Sequence, residues 1–410
     1  MLDKNYLTYE EALALLLKNT PTGIIPEEEV NISDACGRVL AQDVIATENL
    51  PGFNRSTVDG FAVRSKDTFG AKETLPAYLS VKGEVLMGET PQFSLLPGEC
   101  AKISTGGMLP EGADAVVMVE NTNQVSEDLV EVLKPVSPWE NVILEDEDVK
   151  RGEVVLKSGR ILRPQDIGAL AGLGVSKVKV RRKPRVSVIV TGDEIIPVEK
   201  SPKPGEVRDI NSYTLRGLLK DVSAEVLNYG IVKDEYNELK SIVKEAFSNS
   251  DVVLISGGTS AGTRDMTAEI IETLGDPGIL FHGVRIKPGK PLIAAVCQNK
   301  PVFGLPGHPV AVYITYKFFV EPVILRLLNA TPKEITPKVK AILTRTITSQ
   351  PGRRDFVRVS LEKKEGNLYA SPLLSKSGLI TSLVKADGLI IVPEDIPGLE
   401  KGEEVEVELI

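Results

Sequence analysis

The chain has little of what most metal centres and disulfide frameworks are built from, with three cysteines and two histidines in 410 residues. Cys36, Cys100 and Cys297 are far apart, odd in number and form no C-x-x-C pair. A disulfide scaffold or zinc site is therefore not expected, and a reducing compartment fits. Aromatic residues make up 5% of the chain and the net charge is −9. A general nucleic-acid coat needs a basic excess and stacking aromatics, so no nucleic-acid partner is expected. An anionic small substrate is still allowed, because the local field of a cleft can oppose the global sign. No run approaches the ~18 apolar residues of a membrane span. The first twenty residues carry acids inside their apolar stretch, unlike a secretory leader. The expectation is a cytoplasmic protein with no membrane partner. Neither a Walker A motif nor a G-x-G-x-x-G fingerprint is present, so P-loop and Rossmann readings lack their key residues.

What is present is ordinary globular composition, 42% hydrophobic and 26% charged, over a length that suits roughly two to four domains. Residues 7–18 read as an amphipathic helix capped by Thr8, with Glu10 or Glu11 in its first turn. From about 51 to 140, short apolar runs punctuated by Gly and Pro predict a β-rich module. A short helix follows at 164–172, with Pro164 in a favoured first-turn position. Residues 184 to 328 alternate strands with helices, which predicts a mostly parallel sheet covered on both faces. There Asn211 is expected to cap one helix, Asp265 to stand where another begins, and Gly275 to close it. A long helix is expected from Pro309. From 333 to 410 only strand-like runs and turns remain, as in a small β-barrel or sandwich. The basic run KVKVRRKPR (177–185) alternates with valines, which favours a strand with one solvated basic face over an RNA site. The cysteines read as small core residues.

In an open α/β sheet, ligands bind outside the carboxyl ends of the strands, and five polar turns fall at that edge. They are TGDE (191–194), RDINS (208–212), SGGTSAGTRD (256–265), VRIKPGKP (284–291) and GLPGHPV (304–310). Glycine turns and helix N-termini present backbone N–H groups to anionic oxygens, and Lys287 and Lys290 add point charges. Glu194, Asp209 and Asp265 are hard oxygen donors, suited to Mg²⁺ rather than zinc. Together the turns suit a phosphorylated or otherwise anionic ligand held with a divalent cation. Each has a plainer reading as well: a tight turn for Gly257-Gly258, an N-cap for an acid at a helix start, and packing or capping for His308.

The ordered set of motifs resembles the molybdopterin molybdenumtransferase family, which includes the gephyrin E domain. The matching stretches are LPGFNRSTVDGFAVRS (50–65), KISTGGMLPEGADAVVMVE (102–120), VIVTGDEI (188–195), DINSYTL (209–215), ISGGTSAGTRD (255–265), RIKPGKP (285–291), GLPGHPVA (304–311), GRRDFVRV (352–359) and SGLITSLVKADGLIIVP (377–393). The resemblance implies a multidomain α/β plus β fold in four parts. These are an elongated discontinuous domain (1–50 and 141–183), an inserted β-rich domain (51–140), an α/β molybdopterin-binding domain (184–330) and a C-terminal β-domain (331–410). It implies a homodimer whose cleft forms between the third domain of one subunit and the second domain of the other. The activity implied is insertion of molybdate into adenylylated molybdopterin, with Mg²⁺-dependent release of AMP. An adenylyltransferase would supply the activated pterin.

Residue by residue, the resemblance gives catalytic weight to Asp59, Thr105, Glu194, Asp209, Asp265, Lys287 and Lys290. Metal ligation falls to Asp265, Glu194 and Asp209. Substrate binding falls to Gly257, Gly258, Thr259, Ser260, Asn211, Pro306, Gly307, His308 and Ser377. Two departures stand out. The stretch NVILEDED around Asp148 lacks the family's usual arginine and glycine, and His308 replaces the more usual asparagine. The rival readings are a tungstate-inserting version of the enzyme, a non-catalytic scaffold of the same fold, and a nucleotide-binding regulator.

Overall fold

A computed structural model describes residues 6–257, 261–331 and 337–410. The chain divides into two compact units. The first comprises Met1–Gln42, Ser158–Pro164 and Lys177–Ile410; the second comprises Asp43–Lys157 and Gln165–Ser176.

At the centre of the first unit is a six-stranded sheet. Its strands are β1 (Arg185–Thr191), β2 (Glu225–Val232), β3 (Val252–Gly257), β4 (Pro277–His282), β5 (Ile293–Cys297) and β6 (Lys300–Leu305). The spatial order is β2-β1-β3-β6-β5-β4. The first four strands in that order are parallel, and β5 runs antiparallel to both its neighbours. Alternation along the strands sorts the side chains by face. Val186, Val188, Val252 and Leu254 pack with Leu215 and Leu219 of helix α1 (Asn211–Asp221). Ile189, Val253, Ile255 and Val302 pack with Leu239 and Val243 of α2 (Tyr236–Asn249) and Ile270 of α3 (Ala261–Glu272). The chain thus leaves β1 toward one face and β3 toward the other. Between adjacent strands this is the switch point at which an α/β sheet opens a crevice.

After β6 the expected long helix is three segments: α4 (Pro309–Thr315), a π-helical turn (Tyr316–Val320) and α5 (Glu321–Leu327). Pro322 brings no N–H to the ladder, and a π turn is one way a helix absorbs such a break. The C-terminal residues form a closed five-stranded barrel. Arg354–Lys364 pairs with Asn367–Pro372 on one side and Gly388–Val392 on the other, and Lys338–Leu343 and Glu404–Leu409 complete the ring. Aromatic rings fasten the barrel to the α/β body. Phe318 and Phe356 lie 4.4 Å apart, and Tyr9 meets Phe319 edge-on at 5.4 Å. Burial pushes the Tyr9 hydroxyl pKa up to about 12.

The basic run behaves as expected of a solvated face. Lys177–Arg181 pairs antiparallel with Glu27–Asn31, with Val178 and Val180 buried and Lys177 and Lys179 exposed. Lys177 sits 3.4 Å from Glu29 and Arg181 3.6 Å from Glu27. Cys100 and Cys297 are buried, but Cys36 is exposed, so the core reading of the cysteines fails there.

The second unit holds a six-stranded sheet. Its strands run in the spatial order Ala115–Met118, Gly60–Val63, Glu99–Ile103, Ala77–Val85, Leu129–Val132 and Thr122–Ser126. Gly60 is obligatory, because a Cβ there would fall 1.9 Å from the Val117 carbonyl oxygen. Among the described residues no helix is long and apolar enough to cross a membrane.

The N-terminal helix spans Tyr9–Asn19 with a complete capping box. The Glu11 N–H donates to Thr8 Oγ1 (3.2 Å) and the Thr8 N–H donates to Glu11 Oε2 (2.8 Å). Thr8→Ala should lower stability by about 1 kcal/mol, measured by urea unfolding with an unchanged m-value. No loss would mean that the box contributes nothing to the folded chain.

Candidate functional site

The edge formed by the strands' carboxyl ends carries most of the expected residues. β1 ends at Thr191 and pairs there with Gly257, the last residue of β3. A Cβ on Gly257 would lie 2.0 Å from the Thr191 carbonyl oxygen, so only glycine lets the two strand ends approach. Gly258, Thr259 and Ser260 lie outside the described residues. The helix that follows begins at Ala261, so Asp265 stands more than a turn inside it rather than at its start; the side chain is exposed. In the sequence Ala261, Gly262 and Thr263 read as loop, yet their backbone is already helical. Glu194, three residues past β1, is exposed as well.

At the start of α1 the roles of two residues are exchanged. Asp209, expected as a metal ligand, accepts the Ser212 N–H (3.0 Å) on one carboxylate oxygen and the Ser212 hydroxyl on the other. It does the local capping. Asn211, expected as the cap, is the first helical residue and is buried. Its Nδ2 donates to Ser256 Oγ (3.0 Å) and to the Gly307 carbonyl (2.9 Å), which ties β3 to the turn after β6. Its Oδ1 is buried with no hydrogen-bond partner among the described residues. Among the described residues no three His, Cys, Asp or Glu side chains form a group that could hold a metal ion. Glu194, Asp209 and Asp265 are therefore not assembled as a preformed set.

The basic turns do converge. A cleft of about 1170 Å³ is lined by Lys287, Lys290, Pro306, Gly307, His308 and Ser377, all expected site residues. It also receives Arg285, Arg353, Arg358 and Lys376, giving among the described residues six cations against one lining carboxylate, Asp355. Strand pairing places Lys287, since Ile286–Lys287 runs parallel to Arg354–Asp355 of the barrel. Lys287 Nζ lies 3.7 Å from Asp355, which is itself bound by Arg353 Nε at 2.9 Å. Lys290 Nζ sits 4.9 Å from the centre of the Tyr6 ring.

Arg358 was not anticipated. It is 6% exposed, and burial holds its guanidinium below the usual range. It donates to Ser382 Oγ (3.0 Å) and to the Ser375 carbonyl (2.9 Å), bracing the loop that carries Ser377. The available signal was an arginine inside FVRVS, a run whose neighbours are apolar. Ser377 is held twice more: its carbonyl accepts the Val310 N–H (3.2 Å), and its Oγ lies 2.8 Å from His308 Nδ1. The arrangement suits a ligand with several anionic oxygens, because clustered cations in a partly desolvated cleft bind anions more strongly than the same charges in water.

Asp59 and Thr105 belong to the second unit and are paired there. Thr105 donates its N–H (2.7 Å) and its hydroxyl (3.1 Å) to Asp59 Oδ1. Asp148, in the unusual stretch, is exposed.

Fold and cleft together define a multidomain α/β protein whose cation-lined cleft suits an oxyanion-bearing ligand. Known proteins place it further. Residues 7–174 match the MoeA N-terminal region (domain I and II), 187–326 the probable molybdopterin binding domain, and 340–410 the MoeA C-terminal region (domain IV). The chain is similar to a putative molybdopterin biosynthesis protein of Methanocaldococcus jannaschii, at 41% identity over 93% of this chain and 92% of that one. It is 35% identical to the molybdopterin molybdenumtransferase of Bacillus subtilis, over 93% and 90% of the two chains. A crystal structure of the molybdopterin biosynthesis MoeA protein from Pyrococcus horikoshii OT3 superposes with a TM-score of 0.85 at 37% identity, covering 99% and 100%. The chain belongs to the molybdopterin molybdenumtransferase family and is an enzyme of that class.

The N–H and then the hydroxyl of Thr105 hold the Asp59 carboxyl below the usual carboxylate range. What these bonds contribute is present above the ordinary carboxylate value and is lost as pH falls through the lowered folded value. Thr105→Val keeps the N–H and removes the hydroxyl. The Asp59 titration, followed by carboxylate NMR, should move part of the way back up; an unmoved midpoint would mean that the hydroxyl is not bound.

Proposed function

We propose that the chain inserts molybdenum from molybdate into adenylylated molybdopterin, with Mg²⁺-dependent release of AMP. The observation that carries this reading is the cleft, in which six cations face one carboxylate on a chain of net charge −9. Lys287 and Lys290 hold phosphate and molybdate oxygens as point charges, and Ser377 and the turn Pro306–Gly307–His308 form their rim. Gly257, Gly258, Thr259 and Ser260 receive the phosphorylated end of the activated pterin. Asn211 sets the spacing between the end of β3 and Gly307. Asp59 and Thr105 act as a pair from the inserted domain.

Mg²⁺ is usually held by one or two carboxylates plus substrate phosphates and water, not by an all-protein cage. Asp265 and Glu194 fit that role: both are exposed hard-oxygen donors on segments leaving adjacent strands. Asp209 supports them by fixing the start of α1. When bound, Mg²⁺ would offset charge on the phosphoryl group.

The reading includes a cytoplasmic homodimer that receives its pterin from an adenylyltransferase. It also keeps the four-domain division 1–50 with 141–183, 51–140, 184–330 and 331–410. Tungstate is the competing substrate, being a tetrahedral dianion of similar size.

The test is AMP release from adenylylated molybdopterin with Mg²⁺, under separate titrations of molybdate and tungstate. Release that requires one oxyanion supports the reading and names the metal. No release with either, from folded protein, moves the function to a scaffold. Asp265→Asn should stay folded and lose more than about tenfold in AMP release; unchanged turnover would remove Asp265 from the metal site.

A further inference from the structure

The contact between His308 and Ser377 joins the turn after β6 to the barrel's loop at the rim of the cationic cleft. Nδ1 and Oγ are 2.8 Å apart, and the serine hydroxyl has one proton to give. If Nδ1 is an acceptor, that proton is spent on the ring and Ser377 offers the cleft only lone pairs, which repel an oxyanion. If Nδ1 carries a proton, the ring donates to Oγ and the hydroxyl proton is released toward the cleft. An asparagine at position 308 would have an amide that donates without titrating, so the imidazole adds a choice of state.

We propose that His308 is a specificity-determining residue that couples oxyanion binding to proton uptake: the protonated ring turns Ser377 into a donor to a tetrahedral dianion. This rests on the cleft being an oxyanion site. Charge favours the coupling. A dianion bound in the cleft that His308 and six cations line would put negative charge near the ring, which favours an imidazolium over a neutral imidazole.

The other groups facing the cleft are lysines, arginines, Tyr6 and Asp355, which lies between Arg353 and Lys287. As residue types, lysine, arginine and tyrosine ionise well above neutral pH and aspartate well below it. An imidazole is the side chain that titrates in this window. The binding constant should therefore fall as pH rises, by at most about tenfold per pH unit, the limit for one linked proton.

Sulfate is the probe, because it remains a dianion between about pH 6 and pH 8, the range over which imidazole titrates. Calorimetric titrations of the full chain in two buffers of different ionisation enthalpy read the protons taken up per sulfate bound. Uptake of a fraction of a proton up to one is expected, with affinity weakening toward the alkaline end. His308→Asn should bind sulfate with no uptake and a flat pH profile, which also controls for His282. Ser377→Ala should weaken binding and lose most of its pH dependence. Two results overturn the proposal: sulfate binding without uptake by the unaltered chain, as from a neutral ring already carrying Nδ1–H, or undiminished uptake in His308→Asn. If neither sulfate nor molybdate binds the folded chain, the oxyanion cleft itself fails, and the coupling falls with it.

Discussion

The constraint on which the rest of the molecule depends is that its central sheet is buried on both faces. Val186 and Val188 point to one side while Ile189 points to the other, and β3 repeats the split with Val252 and Leu254 against Val253 and Ile255. A sheet of this kind must be covered by helices above and below, so its polar turns are confined to the strand ends. The chemistry-bearing residues are there because the inner strands are covered on both faces and meet solvent at their ends. The close approach at Gly257 follows from the same geometry: two parallel strands end together, and one must give up its Cβ.

The strand edge alone would be a shallow site. Depth comes from the barrel, whose longest strand, Arg354–Lys364, extends the short Ile286–Lys287 segment through parallel pairing. That pairing puts Arg353, Asp355 and Arg358 opposite the K-P-G-K turn. Positive charge from two distant parts of the chain is thereby concentrated in one cleft of an acidic protein. Asp355 stands between Arg353 and Lys287, spacing two like charges without cancelling the field of the other four cations. Buried Arg358 contributes charge and also holds the loop that brings Ser377 to the rim.

Much of the architecture was legible in the sequence. The Thr8–Glu11 box, the alternation of strands and helices and the two-faced runs such as RVSVIV are local signals, and local rules read them. What stayed hidden depends on tertiary partners. Asp209 and Asn211 are two residues apart and both belong to the residue types that cap helices. Only the presence of Ser256 and Gly307 opposite Asn211 decides which one caps. The same holds for the cations: Lys287 and Lys290 announce themselves in a glycine turn, whereas Arg353 just precedes a barrel strand, Arg358 lies within it, and both become site residues only through that strand's pairing with Ile286–Lys287. The π turn at Tyr316–Val320 is a third case, because periodicity carries the apolar pattern through Pro322 as though the helix were continuous.

The exchange at the start of α1 bears on how a metal is held. A carboxylate whose two oxygens are both taken by Ser212 is fixed in place but is a poorer free donor, and the helix it caps carries Asn211 into the core. Asn211 then spends both amide protons on linking β3 to Gly307, and its unpartnered Oδ1 is the cost of that link. Asp209 and Asn211 thus fix the start of α1 against Ser256 and Gly307, while the carboxylates of Glu194 and Asp265 stay exposed. Preorganisation of the backbone and supply of ligand oxygens fall to different residues. On the proposed reading that separation suits a Mg²⁺ site completed by substrate phosphates, since most of its coordination would arrive with the ligand.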